Sequence, residues 1–146
     1  MSEQAVGGIL KEIFSTMINL PLEPALGVPP ATHPSATAII GLIGKPGKLV
    51  VLRAGEGLAC AIAGGMLMAD YPAWSDEVRD AFSELANMTA GNIKAKCFPD
   101  SGFSLSLPTV LFGGDYTVSS ARMRTVLEMS MAGTAGILRV KVAEEI

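Results

Sequence analysis

The sequence has 146 residues, one ordinary domain with room for a sizeable core, and its 49% hydrophobic and 17% charged residues mark a globular rather than a disordered chain. Net charge is −3, and the 11 Lys and Arg are scattered, which excludes the basic stripe that a nucleic-acid binder needs. The longest apolar run, Leu58 to Ala69, is shorter than the ~20 residues of a membrane span.

From about Ser2 to Leu20, Val6, Ile9, Leu10, Ile13, Phe14, Met17 and Ile18 recur at three- and four-residue spacings, which predicts a first amphipathic helix. This N-terminal stretch has Glu3 and no basic residue before Lys11, so it is not expected to be a signal peptide. Pro21, Pro24, Pro29, Pro30 and Pro34 then predict a long irregular connection up to about Ser35. Thr37 to Ile43 and Lys48 to Arg53 are β-branched and apolar, and Gly44-Lys45-Pro46-Gly47 between them reads as a hairpin turn. Gly55 to Asp70, rich in Ala and Gly, reads as a buried helix whose small residues allow close packing. Tyr71-Pro72-Ala73-Trp74 breaks the chain, and Ser75 or Asp76 can cap a further helix running to about Phe98. Phe103 to Leu107 alternates as a strand, Pro108 interrupts it, and Thr109 to Phe112 continues toward Gly113-Gly114. Two long strands follow, about Arg122 to Met131 and Ile137 to Val142.

The turns Gly44–Gly47 and Gly133–Gly136 share a G-x-x-G spacing, each before an apolar strand, which is a weak internal repeat. The predicted architecture is a single α+β domain over residues 1–146, a largely antiparallel sheet with helices packed on it. Cys60 and Cys97, both in apolar helical settings, are expected to be buried, reduced thiols, which fits a cytoplasmic protein. With one histidine, His33, and no cysteine cluster, neither a zinc site nor a histidine-dependent triad is expected. The sequence has no GxxxxGK[ST] or GxGxxG motif, so no nucleotide site is expected either.

Chemistry is concentrated on the helix after Ser75. At 100° per residue, Val78, Phe82, Leu85, Ala86, Thr89, Ile93 and Cys97 share one arc, a core face. The opposite side gathers Glu77, Asp80, Glu84, Asn87, Gly91 and Lys94, with Glu84 and Asn87 at the i, i+3 spacing of neighbours. Such a stripe is ordinarily a solvated face. Two residues ask for a further reason: Asn competes for backbone hydrogen bonds mid-helix, and Gly91 costs about 1 kcal/mol against Ala while clearing bulk beside Asn87. A closely approaching partner would account for both.

The spacing Asp80-x3-Glu84-x2-Asn87-x3-Gly91, running on through Asn92 to Lys94, resembles the signature of the CheC/CheX/FliY family of chemotaxis phosphatases, and within it the stand-alone CheX-like proteins. Ser106-Leu107-Pro108-Thr109-Val110, with Gly113 beyond, is similar to the segment following that helix in CheX-like members. The resemblance implies a CheC/CheX-like fold and hydrolysis of the aspartyl phosphate of a phosphorylated CheY-like receiver domain. That partner would bring its own acidic pocket, Mg²⁺ and lysine, so this chain is expected to bind no cofactor or metal itself. Glu84 and Asn87 would be the catalytic pair. A carboxamide offers one water both a donor and an acceptor, so Asn87 would orient the in-line nucleophile, while Glu84 would pair with the receiver's lysine. Asp80, Gly91 and Lys94 would face the partner. Some relatives carry two such motifs; here the first helix offers only Glu12 with Ser15, so one site is expected. Exposed sheet edges and the pairing of CheX-like relatives imply a homodimer. The competing expectation is a non-catalytic docking or flagellar-switch module that binds a receiver without hydrolysing its phosphate.

Overall fold

The structure is a computed structural model and describes residues 1–27, 33–114 and 116–146. The first helix, α1 (Glu3–Ile13), starts where Ser2 Oγ accepts from the Ala5 amide at 3.1 Å, and it buries Val6, Ile9, Leu10 and Ile13. It then widens into a π-helical turn, Phe14–Ile18, that puts both Phe14 and Ile18 into the core. The Ser15 and Thr16 hydroxyls both donate to the Glu12 carbonyl, at 3.1 and 2.7 Å, at the point where the ordinary ladder gives way.

The proline-rich connection, expected to be irregular up to about Ser35, contains one regular element. Glu23–Ala25 forms a short strand, β1, paired antiparallel with residues 130–132 of a later strand. Pro24 is tolerated because β1 is the sheet's edge, where a missing amide donor costs nothing in the ladder. The remainder of that connection, 28–32, lies outside the described residues.

The other strands are β2 (Ser35–Ile43), β3 (Lys48–Gly55), β4 (Ser104–Leu105), β5 (Thr109–Gly113), β6 (Met123–Gly133) and β7 (Gly136–Glu145). They form one antiparallel sheet in the order β1-β6-β7-β3-β2-β4, with β5 also pairing β2. The β2–β3 and β6–β7 hairpins, closed by the two G-x-x-G turns, meet along β3–β7. Short strands flank them on either side, so the weak sequence repeat corresponds to a symmetry in strand order.

The expected strand Phe103 to Leu107 shortens to Ser104–Leu105. Between the pairs Leu42↔Leu105 and Ile39↔Thr109, three steps along β2 face four along the edge, so one residue is extruded around Leu107 and Pro108. Ser106 holds the break against β2, accepting from the Gly41 amide through Oγ (2.8 Å) and donating its own amide to the Gly41 carbonyl (2.9 Å).

All three helices cover one face of the sheet, where Ala36, Ala38, Ile40, Val50, Leu52, Val140 and Val142 point inward. Helix α2 (Glu56–Leu67) stops short of the expected Asp70 because Met68 turns left-handed, with φ 54°. At Gly65 an added Cβ would lie 2.1 Å from the Ile18 carbonyl oxygen, so α2 meets the π-helical turn at backbone contact. Cys60 is buried and Cys97 half-buried, and both are free thiols. Burial, with a smaller contribution from the Glu56 carboxylate, pushes the Cys60 thiol up. Among the described residues no helix is long and apolar enough to cross a membrane.

Candidate functional site

The third helix, α3 (Asp76–Cys97), is the longest element and carries every site residue named from the sequence. Ser75 is its N-cap, with Oγ accepting from the Val78 amide at 3.3 Å. Asp76 and Glu77 occupy the positive end of the helix and Lys94 and Lys96 the negative end. Before the cap, the Trp74 amide donates to Glu56 Oε2 at 2.9 Å, tying the entry of α3 to the start of α2.

The helix packs over β2, β4 and β5 on one side and against α1 and α2 on the other. Its buried positions are Val78, Ala81, Phe82, Leu85, Ala86, Thr89, Ala90 and Ile93. The expected arc is therefore buried except Cys97, which is half-exposed in the last turn, and Ala81 and Ala90 widen it. Thr89 satisfies its buried hydroxyl within the helix, donating to the Leu85 carbonyl at 2.7 Å.

On the outward side, Glu84 and Asp80 are exposed, and Asn87, Gly91 and Lys94 are half-buried. These five residues lie on one surface of one rigid helix, which fixes their spacing without any loop. Their side chains are engaged differently. Asp80 accepts from Arg79, at 3.1 Å from Nε and 3.0 Å from Nη2, so its carboxylate is held locally. Glu84 and Asn87 make no side-chain hydrogen bond or ion pair among the described residues. The other asparagine of the helix shows the contrast: Asn92 Nδ2 donates to the Met88 carbonyl at 2.8 Å, whereas Asn87 keeps its carboxamide available.

Gly91 is not required by internal packing. A Cβ built there meets only Leu105 Cδ1, at 3.9 Å, an ordinary contact, and the backbone has no left-handed φ. That contact also shows what borders the stripe. Leu105 and Leu107 are 37% and 90% exposed, and Phe112, 37% exposed, stacks on Trp74 with centroids 4.3 Å apart at 4°. This apolar border was not legible in the amino-acid sequence, because it depends on pairing β4 and β5 with β2 beside α3. Among the described residues no group of three or more His, Cys, Asp or Glu side chains is gathered as a metal site. Chemically, the surface offers a carboxylate and a carboxamide, three residues apart, to whatever docks on α3.

A family model described as chemotaxis phosphatase CheX matches residues 36–131. No curated protein sequence matches significantly. Among solved structures, the chemotaxis protein CheX from Vibrio vulnificus superposes with a TM-score of 0.83 at 24% identity, covering 98% of this chain and 95% of that one. A chain of the CheX–CheY–BeF3–Mg²⁺ complex from Borrelia burgdorferi gives a TM-score of 0.72 at 17% identity, covering 98% and 94%. A chain of the FliM–SpeE complex from H. pylori gives 0.67 at 10% identity, covering 99% and 90%. At these identities the superpositions establish the fold.

Proposed function

The chain belongs to the CheX family of chemotaxis phosphatases, and we propose from that membership that it dephosphorylates a CheY-like receiver domain docked on the outward face of α3. The observation that carries the reading is the free pair on that face: Glu84 and Asn87, neighbours at i, i+3, project from a rigid helix with no partner among the described residues. Fold alone does not distinguish a phosphatase from other proteins of this architecture, since a chain of the FliM–SpeE complex shares it.

In this reading the reaction is divided between two proteins. Hydrolysis of an aspartyl phosphate asks for an oriented in-line water and stabilised charge, with little covalent chemistry. Asn87 supplies the orientation: its carboxamide offers the water both an acceptor and a donor. Glu84 pairs with the receiver's lysine and fixes the register of docking. Gly91 lets the partner's backbone approach, and Asp80 and Lys94 lie at the border of the contact. The Mg²⁺ neutralising the phosphoryl group would be the receiver's own, which fits the Borrelia complex, where CheX and CheY occur together with BeF3 and Mg²⁺.

The test is to incubate the chain with phosphorylated CheY-like receivers and follow loss of the phosphoryl group. Accelerated loss that EDTA abolishes is expected, while the chain alone retains no stoichiometric metal after dialysis. Tight receiver binding without acceleration would instead identify a docking module.

A further inference from the structure

We propose that the sheet face turned away from the helices carries a second site, which binds a small dianion of the phosphate class through Arg53, Arg139 and Lys141. Residues directly opposite in an antiparallel ladder point to the same face. Leu52, Ala54, Leu138 and Val140 point into the core, so their neighbours Arg53 and Arg139 point to the opposite side. Register makes Arg53 the direct partner of Arg139, with Thr37 beyond Arg53 on β2, and makes Lys141 the partner of Val51 in the next row. Two like charges directly opposite one another weaken a sheet, so this arrangement asks for a compensating anion.

The protein supplies only part of that compensation. Glu128, the direct cross-strand partner of Lys141, is exposed and places its Oε1 3.5 Å from Arg139 Nη2. Among the described residues no carboxylate comes within 4.0 Å of the charged nitrogens of Arg53 or Lys141. Three cations and the Glu128 carboxylate therefore leave a local charge of +2, in a chain whose net charge is −3.

The site is also shaped. Arg53 is aimed by its Nε donation to Ser35 Oγ at 3.2 Å and by the Tyr116 ring, 4.7 Å from the guanidinium carbon. Tyr116 is in turn fixed by a 2.6 Å hydrogen bond between its hydroxyl and that of Thr37. Arg53 and Thr37 line, together with Glu128, Arg139, Lys141, Thr117 and Val118, a cavity of about 180 Å³. That is room for several waters at ~30 Å³ each, and too little for a drug-sized ligand. Two guanidiniums and an ammonium with nearby hydroxyls offer enough donors and positive charge to hold a small dianionic oxyanion such as phosphate.

The experiment is a nuclear magnetic resonance titration of the full chain with inorganic phosphate, and separately with methyl phosphate, at ionic strength held constant with chloride. Saturable shifts at the Arg53 and Arg139 Nε–H signals and the Lys141 amide are expected. Arg53→Gln and Arg139→Gln should each weaken binding by about tenfold or more, as loss of a charge-assisted hydrogen bond implies. Thr117→Glu, which places a carboxylate at the cavity's exposed wall, should abolish phosphate binding while raising thermal stability, so the site can be judged even if an arginine variant folds poorly. Equal binding of both probes assigns a phosphate monoester, and binding of inorganic phosphate alone assigns the free anion. Non-saturating shifts, shifts unchanged in all three variants, or phosphate effects confined to self-association would overturn the proposal.

Discussion

Asn87 is the residue whose replacement best separates catalysis from docking. If it orients the attacking water, Asn87→Ala should slow receiver dephosphorylation by roughly 10²-fold or more, the scale of losing one preorganised polar group at a transition state. Its side chain is half-exposed and makes no internal bond among the described residues, so the fold should lose no more than about 0.5 kcal/mol. Receiver affinity should change little, because the water contact matters mainly in the transition state. Glu84→Lys should do the reverse, weakening the complex by reversing an ion pair. The pair of assays, dephosphorylation and receiver affinity on each variant, decides between them; wild-type hydrolysis by a folded Asn87→Ala protein removes the catalytic assignment. A different charged residue bears on stability. Lys48 is 6% exposed and is held by Glu144, which also binds Arg124 at 3.0 Å. The Lys48 hydrogen bond, then the Arg124 one, holds the Glu144 carboxyl below the usual carboxylate range. A lowered folded value means the stabilisation is complete above the unfolded pKa of about 4.3 and fades as pH falls through the folded value. Glu144→Gln should therefore lower the melting temperature at neutral pH, and the difference from wild type should close progressively under acid, as calorimetry across pH would record.

At the scale of elements, two glycines in helices make opposite predictions. Gly65→Ala would drive a methyl into the Ile18 carbonyl, so α2 must move off the π-helical turn, at a cost of about 1–3 kcal/mol read by denaturant unfolding. Gly91→Ala meets only Leu105 at 3.9 Å and should stabilise α3 by up to about 1 kcal/mol, yet weaken the receiver complex because the cleared approach is filled. Unchanged receiver affinity in a stabilised Gly91→Ala protein would show that no partner uses that clearance. The legibility of the elements in the sequence follows the same physics. Helix α3, with its cap at Ser75, was readable from its helical period, and the bodies of strands β2, β3, β6 and β7 from apolar runs set off by glycine-containing turns. So was the site stripe, since one helix carries it and helical spacing is local. The β1 strand was hidden because its three residues, Glu23–Ala25, owe their conformation to β6 rather than to themselves. The Leu105–Phe112 border and the burial of Lys48 were hidden for the same reason, both being consequences of pairings between residues far apart in sequence.

For the whole molecule, the question is what the sheet does with its two edges. Beyond β1, the free length of β6 is charged and interrupted: Arg124 and Glu128 are exposed, one on each face, and the register slips between Thr125 and Leu127, features that discourage further pairing. The β5 edge is the reverse. Leu111 and Phe112 are 42% and 37% exposed there, and Leu107 at the break before it is 90% exposed. An apolar edge with open backbone groups is a surface that soluble proteins usually cover. We propose that a second copy covers it, giving a homodimer paired through β5. Sedimentation velocity at micromolar concentration should then report a dimer for the wild type. Leu111→Lys should convert it to a monomer with little loss of fold stability, since an exposed edge position contributes within about 0.5 kcal/mol to the isolated chain. Because Phe112 stacks on Trp74 just before α3, the dimer would also brace the entry of the helix that bears Glu84 and Asn87. The monomeric variant should accordingly keep dephosphorylation chemistry per bound receiver while binding the receiver more weakly. A wild-type chain that sediments only as a monomer would remove both expectations at once.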